Sequence, residues 1–466
     1  MDTSNLPEQY PGRVILHNEI HARPPVAVRA PLAISHLVQV CDAAQREASR
    51  AHLAELLRRH QLPQLDENCT HTRMDLDAYS IRWELHTEFV TWTFMRPLPD
   101  DASVVGPGGI GACDAIREVP QQWLKQLPGL CLVSLNLWVL AAGSSLGESL
   151  VRTALDPELL IGSSVAGGFG EIHTDFAIGA DGFSRMVLRV GAMSEDGQST
   201  QAMAVPAHRD GRHPFEVSRM TPRRLGRLVQ RLLEIETYRM MALLGVPAAR
   251  EASAALAYAE RELAELAGAV RSADRRDEPE LLDRLTRLAG QVESQHAATH
   301  SRFSASAAYF ELVDKRIADI SEARLGGMQT IRDFMDRRLT PARSTCEWAA
   351  RRQNALSQRV SRISNLLRTR VEIEQQQSSQ DLLVTMNERQ GLQLQLQSTV
   401  EGLSVAAITY YIVGLISYMA KGASKLGWPW SPESTAAVAI PAVGFLVWWS
   451  LRRMHHRLFQ RPAHTG

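Results

Sequence analysis

Two uncharged apolar stretches near the carboxyl end constrain this chain more than any other feature of its sequence. Leu403 to Ala420 runs for 18 residues, and Thr435 to Leu451 runs for 17, without one charged side chain. At about 1.5 Å per residue, each stretch would form a helix of roughly 25 to 27 Å, just short of a bilayer core of about 30 Å. The two stretches predict a transmembrane hairpin, and a buried helical hairpin in a soluble core is the alternative.

The residues around these stretches predict how such a hairpin is oriented. Tryptophans and arginines flank it: Trp428, Trp430, Trp448, Trp449, Arg452, Arg453, Arg457 and Arg461. Aromatic residues favour the membrane surface, and arginines directly after a span mark its cytoplasmic side. Two spans return the preceding chain to that same side, and the first 30 residues contain no apolar signal-peptide core. We therefore expect a two-pass protein with both termini in the cytoplasm.

Residues 223–400 predict long helices. They are rich in Ala, Leu, Arg, Glu and Gln, and their apolar residues recur at helical spacing. Breaks are expected at the prolines of this region: Pro247, Pro279 and Pro341. The leucines at 392–396 alternate as in a strand, but Leu and Gln are good helix formers, so helix is predicted there. The apolar seam turns polar over 374–381, and such incomplete seams predict paired helices or a coiled coil in a homo-oligomer.

Residues 1–222 have a different pattern, with more Gly and Pro and short alternating runs. Five segments predict strands: Tyr79 to Trp83, Phe89 to Met95, Leu130 to Leu140, Glu171 to Ile178 and Phe183 to Val190. The last two are joined by a hairpin turn, Gly179 to Gly182. Helices are predicted for Ser35 to His60 and Ala115 to Gln126. The pattern indicates an α/β domain with a mixed or antiparallel sheet.

The sequence as a whole therefore predicts an α+β protein in four parts. These are a cytoplasmic α/β domain (1–222), a long coiled-coil-like helical region (223–400), a transmembrane helical hairpin (401–457) and a short basic tail (458–466). The lipid bilayer and further copies of the chain are the predicted partners.

Composition excludes several classes of function. The chain has 51 basic and 51 acidic side chains, so it carries no net field that would attract nucleic acid. Its 5 cysteines are odd in number and have no C-x-x-C spacing, which argues against a disulfide framework or a zinc knuckle. The sequence predicts no cofactor and no nucleic-acid partner.

Two histidine-containing segments are the main candidates for chemistry. The first contains His17, Glu19, His21 and Arg23, and the second contains Glu84, His86 and Glu88. The first lacks the H-E-x-x-H order of zinc proteases, and a proline pair follows it, so a structural loop is the simpler interpretation. The second places its side chains on one face of a continuing strand. They predict a solvated surface or, alternatively, a polar cluster with His173, Asp175 or the first segment, and no metal site is assigned.

Glycine-rich motifs give weaker signals. Gly143 to Gly147 matches the G-x-S-x-G pattern of serine hydrolases after a strand-like run, but the pattern is degenerate and no catalytic partner is specified. Gly167 to Gly170 and Gly106 to Gly109 lack the residues of a phosphate-binding loop. We interpret both glycine clusters as turns.

Several stretches resemble a bacterial family of uncharacterised membrane-anchored proteins, domain of unknown function 3422. The stretches are Leu16 to Pro25, Arg82 to Phe89, Gly167 to Ile178, Leu228 to Gly245, Arg337 to Cys346 and Thr399 to Leu415. The resemblance implies a cytoplasmic body with a C-terminal anchor in the bacterial inner membrane. It implies no particular activity.

These observations favour a non-enzymatic scaffold or regulatory protein that self-associates at the inner membrane. A CorA-like ion channel or transporter is an alternative, because CorA channels share the order of cytosolic domain, long helices and two C-terminal spans. The Gly-Met-Asn filter of such channels is replaced here by Tyr418 to Gly422. A membrane-tethered hydrolase or metal-dependent enzyme is the other alternative.

Overall fold

The computed structural model of the protein describes residues 10–14, 16–17, 25–66, 69–99, 113–191, 220–272, 276–423, 427, 429 and 431–459. The chain divides into two compact units, Met1–Ile363 and Ser364–Gly466. The first unit contains the sheet and the helices that pack on it, and the second contains the apolar C-terminal helices.

A mixed sheet organises the first unit. Nine strands are described: β1 (Leu32–Val40), β2 (His71–Asp75), β3 (Ser80–Leu85), β4 (Phe89–Pro97), β5 (Leu130–Ala141), β6 (Ile161–Val165), β7 (Gly170–Thr174), β8 (Ser184–Val190) and β9 (Ala323–Arg324). Their order across the sheet is β2-β3-β4-β1-β5-β8-β7-β6-β9. Only β5 and β8 pair in parallel; the other pairs of described strands are antiparallel. The predicted mixed sheet is confirmed.

Long helices follow the sheet, as predicted. The described helices are α1 (Ala43–Arg59), α2 (Gln121–Lys125), α3 (Ser145–Ala154), α4 (Pro222–Leu243), α5 (Gly245–Ser272), α6 (Glu278–Asp319), α7 (Ile331–Ala423) and α8 (Pro432–Phe459). Two of the three prolines behave as expected, since Pro247 and Pro279 lie in the first turns of α5 and α6. The third expectation is wrong, because Pro341 lies inside the 93-residue α7. Buried neighbours such as Leu339 and Cys346 hold the helix together across it.

Strand β1 corrects the predicted helix from Ser35 to His60. Residues up to Val40 form a strand at the centre of the sheet, and helix begins only at Ala43. Asp42 caps that helix: its side chain accepts from the Gln45 backbone N–H at 2.8 Å, and the Asp42 backbone N–H donates to the Gln45 side-chain oxygen at 3.0 Å. Both faces of β1 are buried, so its sequence is mostly apolar and lacks the alternation that identifies a half-exposed strand.

Two further predictions need adjustment. The helix predicted from Ala115 to Gln126 is a 3-10 turn at Ala115–Glu118 followed by the five-residue α2, with Pro120 between them. The hairpin of β7 and β8 is antiparallel as predicted. However, β7 ends at Thr174, because the chain turns at Phe176, where φ is +50°. The predicted glycine turn at Gly167 and Gly168 is confirmed between β6 and β7.

Helices cover both faces of the sheet, and each face has its own core. On one face, Trp83, Trp92 and Trp138 pack with buried leucines of α1 and α3. The opposite face packs against α4, α6 and the start of α7. Alternate residues of one strand serve the two cores, as Ala33 and Ile34 of β1 illustrate.

The second unit consists of the end of α7 together with α8. Most side chains between 371 and 423 are exposed, and the leucines at 392–396 lie in helix, as predicted. The two helices contact each other where Gly444 approaches Thr409. Both contain an apolar window long enough to cross a membrane.

We expect Gly226→Ala to destabilise the first unit. Gly226 is the point where α4 approaches the N-terminal segment, and a Cβ there would lie 1.6 Å from the Val26 carbonyl oxygen. The substitution should lower the free energy of unfolding by about 1 to 3 kcal/mol in urea titrations. Gly268→Ala in α5 is the matched control, because a Cβ there meets no atom within 4 Å. The control should leave stability unchanged or raise it by up to about 1 kcal/mol, and equal losses in both variants would contradict the expectation.

Candidate functional site

A cavity of about 300 Å³ lies between the sheet and α4, and we call it the α4 cavity. One wall is formed by β1, β3 and β4, the other by α4, and the segment at Val26 and Val28 closes one side. Its lining combines apolar side chains with an arginine, two glutamates and two histidines. A small concave site with an apolar lining and a few convergent polar groups is typical of a ligand-binding site.

The lining follows from the periods of strand and helix. Every second residue of β4 from Phe89 to Met95 faces the cavity, as do Arg82 and Glu84 of β3. On α4 the lining residues recur three or four positions apart: Val229, Gln230, Leu233, Glu234, Thr237 and Tyr238. Two periodic faces from distant parts of the chain thus form one site.

His36 on β1 connects the two walls. Its Nδ1 lies 2.8 Å from Thr93 Oγ1 on β4, and its Nε2 lies 3.1 Å from Thr237 Oγ1 on α4. The Thr237 hydroxyl donates to the Leu233 carbonyl oxygen, so it accepts from the Nε2–H of His36. Nδ1 then accepts from Thr93. Burial, together with the nearby Arg82 and His86, lowers the pKa of His36 to about 3, so the ring is neutral.

Charged side chains occur on both walls of the cavity. Arg82 donates to Glu84 at 2.7 Å, and both side chains are largely shielded from solvent. On the helix wall, Glu234 accepts from Gln230 at 2.8 Å and pairs with Arg316 of α6. The charges are therefore balanced by neighbours, and none is buried alone.

Glu88 lies beside the cavity and ties the β3–β4 turn to α6. It accepts from Arg302 at 2.9 Å and from the Tyr309 hydroxyl at 3.3 Å. Burial, and then the charge of Glu88, raise the pKa of Tyr309. Tyr309 in turn stacks on Tyr238 of the cavity wall, with ring centroids 5.8 Å apart. The cavity wall is thus braced from behind by α6.

The structure brings together only part of the predicted polar cluster. Glu84 and His86 line the α4 cavity, where His86 stacks on Phe89 with ring centroids 4.2 Å apart. Asp175 follows β7, five strand positions from β3, a separation of about 24 Å at roughly 4.8 Å per strand. It accepts instead from the backbone N–H groups of Asp156 and Ala177.

The first histidine segment is only partly described. His17 is exposed and lies in a short helical turn. Glu19, His21 and Arg23 lie outside the described residues. Among the residues that the structure describes, no three His, Cys, Asp or Glu side chains converge as metal ligands.

The glycine motifs serve chain turns and packing. Gly143 to Gly147 runs from the turn after β5 into the first turn of α3, which begins at Ser145, so the predicted strand-turn-helix order is present. At the β6–β7 turn, Arg224 of α4 lies over the Phe169 ring, 5.1 Å from its centroid. The same arginine reaches the Ala166 carbonyl oxygen at 3.4 Å. This turn is held against the start of α4.

The family described as "Protein of unknown function (DUF3422)" has a model that matches residues 8–204 and 190–458. The chain belongs to this family. No curated protein and no solved structure matches it. Two of the stretches that carry the DUF3422 resemblance, Arg82 to Phe89 and Leu228 to Gly245, supply opposite walls of the α4 cavity.

Sequence reasoning missed several residues of this site in the DUF3422 chain. His36 was assigned to a helix, which hid its place on a central strand. Arg82 was read only as part of a motif, although it lies two residues before Glu84 and so shares its face of β3. Glu234 stands among many helical glutamates, and no local signal separates it from a solvated one.

We expect His36→Gln to weaken the acid sensitivity of folding. The pKa of His36 is about 3 in the folded protein against an ordinary value of 6.5, so on acidification the unfolded chain takes up this proton first. Stability is therefore lost as the pH falls, by about 2 kcal/mol between pH 7 and pH 5 from this residue. Urea unfolding at both pH values should show a fall smaller by that amount in His36→Gln. His60→Gln, at an exposed position, is the control. An unchanged pH dependence in His36→Gln would contradict the neutral ring.

Proposed function

We propose that this DUF3422 protein is a two-pass membrane protein of the bacterial inner membrane that self-associates and holds its α+β body on the cytoplasmic side. In this role it acts as a scaffold or regulatory module. The observation that carries the proposal is the exposure of both C-terminal apolar helices.

The exposure of these two helices favours membrane spans over helices buried in a soluble core. A core helix of a soluble protein is mostly buried, whereas only 11% of the apolar window of α7 and 0% of that of α8 is buried. Large side chains such as Leu403, Tyr410 and Phe445 are 74%, 77% and 63% exposed. Contiguous exposed apolar surface of this extent needs a covering, and lipid covers both helices at once.

Polar groups in and beside the helices also suit a bilayer. The Thr409 and Ser417 hydroxyls donate to the carbonyl oxygens of Val405 and Val413, so they are not left unpaired in hydrocarbon. At the end of α8, the guanidinium groups of Arg452 and Arg453 lie 5.0 and 5.2 Å from ring centroids, over Trp448 and Trp449 respectively. Such aromatic and cationic pairs favour the headgroup layer.

Self-association is supported by the stretch of α7 before the apolar window. An apolar stripe runs along one side of it, formed by Val371, Leu382, Leu392, Leu396, Val400 and Leu403. These residues fall within an arc of about 80°, counting roughly 100° per residue. Leu382, Leu392 and Leu396 are 65%, 62% and 67% exposed. Copies anchored in one membrane present this stripe in the same direction, which favours a parallel coiled coil.

The stripe is not a perfect seam. Glu374 and Arg389 lie on it, and Leu394 lies on the opposite side. Polar residues in a seam lower the stability of a coiled coil and select its register. A weak, register-specific association is therefore expected rather than a permanent one. The two alternative functions, a CorA-like ion channel or transporter and a membrane-tethered hydrolase or metal-dependent enzyme, stay predictions.

Cysteine labelling tests the orientation. Ser431→Cys, in the connection before α8, should react with a membrane-impermeant maleimide in intact spheroplasts. Ser398→Cys, exposed on α7 and away from the stripe, should react only after the membrane is permeabilised. The unsubstituted chain reports the background from its native cysteines. Labelling of Ser398→Cys in intact spheroplasts would rule out a cytoplasmic body.

Disulfide crosslinking tests the association. Leu396→Cys lies on the stripe, while Ser398→Cys is two residues away on roughly the opposite side of the helix. Oxidation of isolated membranes should crosslink most of the Leu396→Cys protein as dimers and little of the Ser398→Cys protein, as seen on non-reducing gels. Recovery of monomers alone from both variants would contradict self-association through the stripe.

A further inference from the structure

The α4 cavity is a formed site rather than a gap between poorly packed elements. Its walls come from alternate residues of three strands and from one face of α4. His36 joins the walls, because it hydrogen-bonds Thr93 on the sheet and Thr237 on α4. The Val26 segment is fixed at its edge, because the Val28 N–H donates to the Pro222 carbonyl oxygen at 2.9 Å. At about 300 Å³ the cavity is at the small end of ligand sites.

The polar side chains of its walls include both hydrogen-bond donors and hydrogen-bond acceptors. Within the described residues, the Arg82 guanidinium donates only to Glu84, although it carries five N–H donors. Glu84 receives that bond and a long one of 3.4 Å from Thr91, so its oxygens can accept more. On the opposite wall, Glu234 binds Gln230 and Arg316. Donors and acceptors therefore face each other across the cavity.

The rest of the lining is apolar or already hydrogen-bonded. Phe89, Met95, Val229 and Leu233 form an apolar part of the wall. Both ring nitrogens of His36 are engaged, so His36 holds the walls together and has no free nitrogen to act as a base. The site is therefore suited to binding rather than to proton transfer by this histidine.

We propose that the α4 cavity binds a small zwitterion of amino-acid size. Its carboxylate contacts Arg82, its ammonium group contacts Glu234 and Glu84, and its hydrocarbon part packs on Phe89 and Leu233. A ligand with a net charge is disfavoured, because the wall charges already balance and an added buried charge stays uncompensated. The proposal is independent of membrane anchoring.

Binding is measured on the full chain purified in detergent, by isothermal titration calorimetry with each standard amino acid and glycine betaine. At least one of these zwitterions should bind saturably. Its amine analogue without the carboxylate, and its acid analogue without the amino group, should each bind about tenfold more weakly or worse. Absence of saturable binding across the whole panel, or equal binding of the amine or the acid, overturns the proposal.

Substitutions then locate the binding. Arg82→Gln should weaken binding of the zwitterion at least tenfold. The matched control is Arg73→Gln, since Arg73 also pairs with a carboxylate two residues along its strand, Asp75, but is exposed on β2. Arg73→Gln should leave the affinity unchanged, and equal weakening by both substitutions overturns the assignment.

A change in ligand selectivity distinguishes a direct contact between Glu234 and the ligand from a merely structural role of Glu234. Glu234→Gln should weaken the zwitterion and its amine analogue about tenfold and leave the acid analogue unchanged. A merely structural role for Glu234 would weaken all three alike, and that result also overturns the proposal. The comparison of the three ligands on Glu234→Gln tests the proposal even if Arg82→Gln fails to fold.

Discussion

The packing of α4 on one face of the sheet is the contact on which the rest of the first unit depends. The helix buries Leu225, Leu228 and Leu232 against the strands, and Gly226 lets it come close to the N-terminal segment. The same contact creates the cavity, because the sheet and α4 supply its two walls. Removing α4 would expose the sheet face and abolish the site together.

Sequence patterns predicted the fold where only one side of an element is buried. β3 and the long helices were recognised from periods of two and of three to four residues. β1 was missed because both of its faces are buried and its mostly apolar sequence does not alternate, so it resembles a buried helix as closely as a strand. Pro341 was expected to end a helix, but packing around it outweighs the hydrogen bond that proline removes.

The candidate site was predictable only in part, for a related reason. Glu84 and His86 were singled out because their spacing puts them on one face of a strand, and both line the cavity. The contact between His36 and Thr237 joins residues 201 positions apart. No local pattern encodes such a contact, since it arises only when α4 docks on the sheet. The separation of Asp175 from Glu84 likewise depends on strand order, which the sequence did not reveal.

The stretch of α7 from 371 to 400 has a consequence of its own. Nearly all of its side chains are exposed, so within one copy it is held by its own backbone hydrogen bonds with little tertiary support. In proteins most of the stability of a helix comes from tertiary packing of its apolar face rather than from helix propensity. Order in the stretch therefore depends on how many neighbours surround it. Under the proposed self-association at a membrane, crowding of copies would stiffen the segment and dilution would loosen it, so its helicity would report the local surface density of the protein.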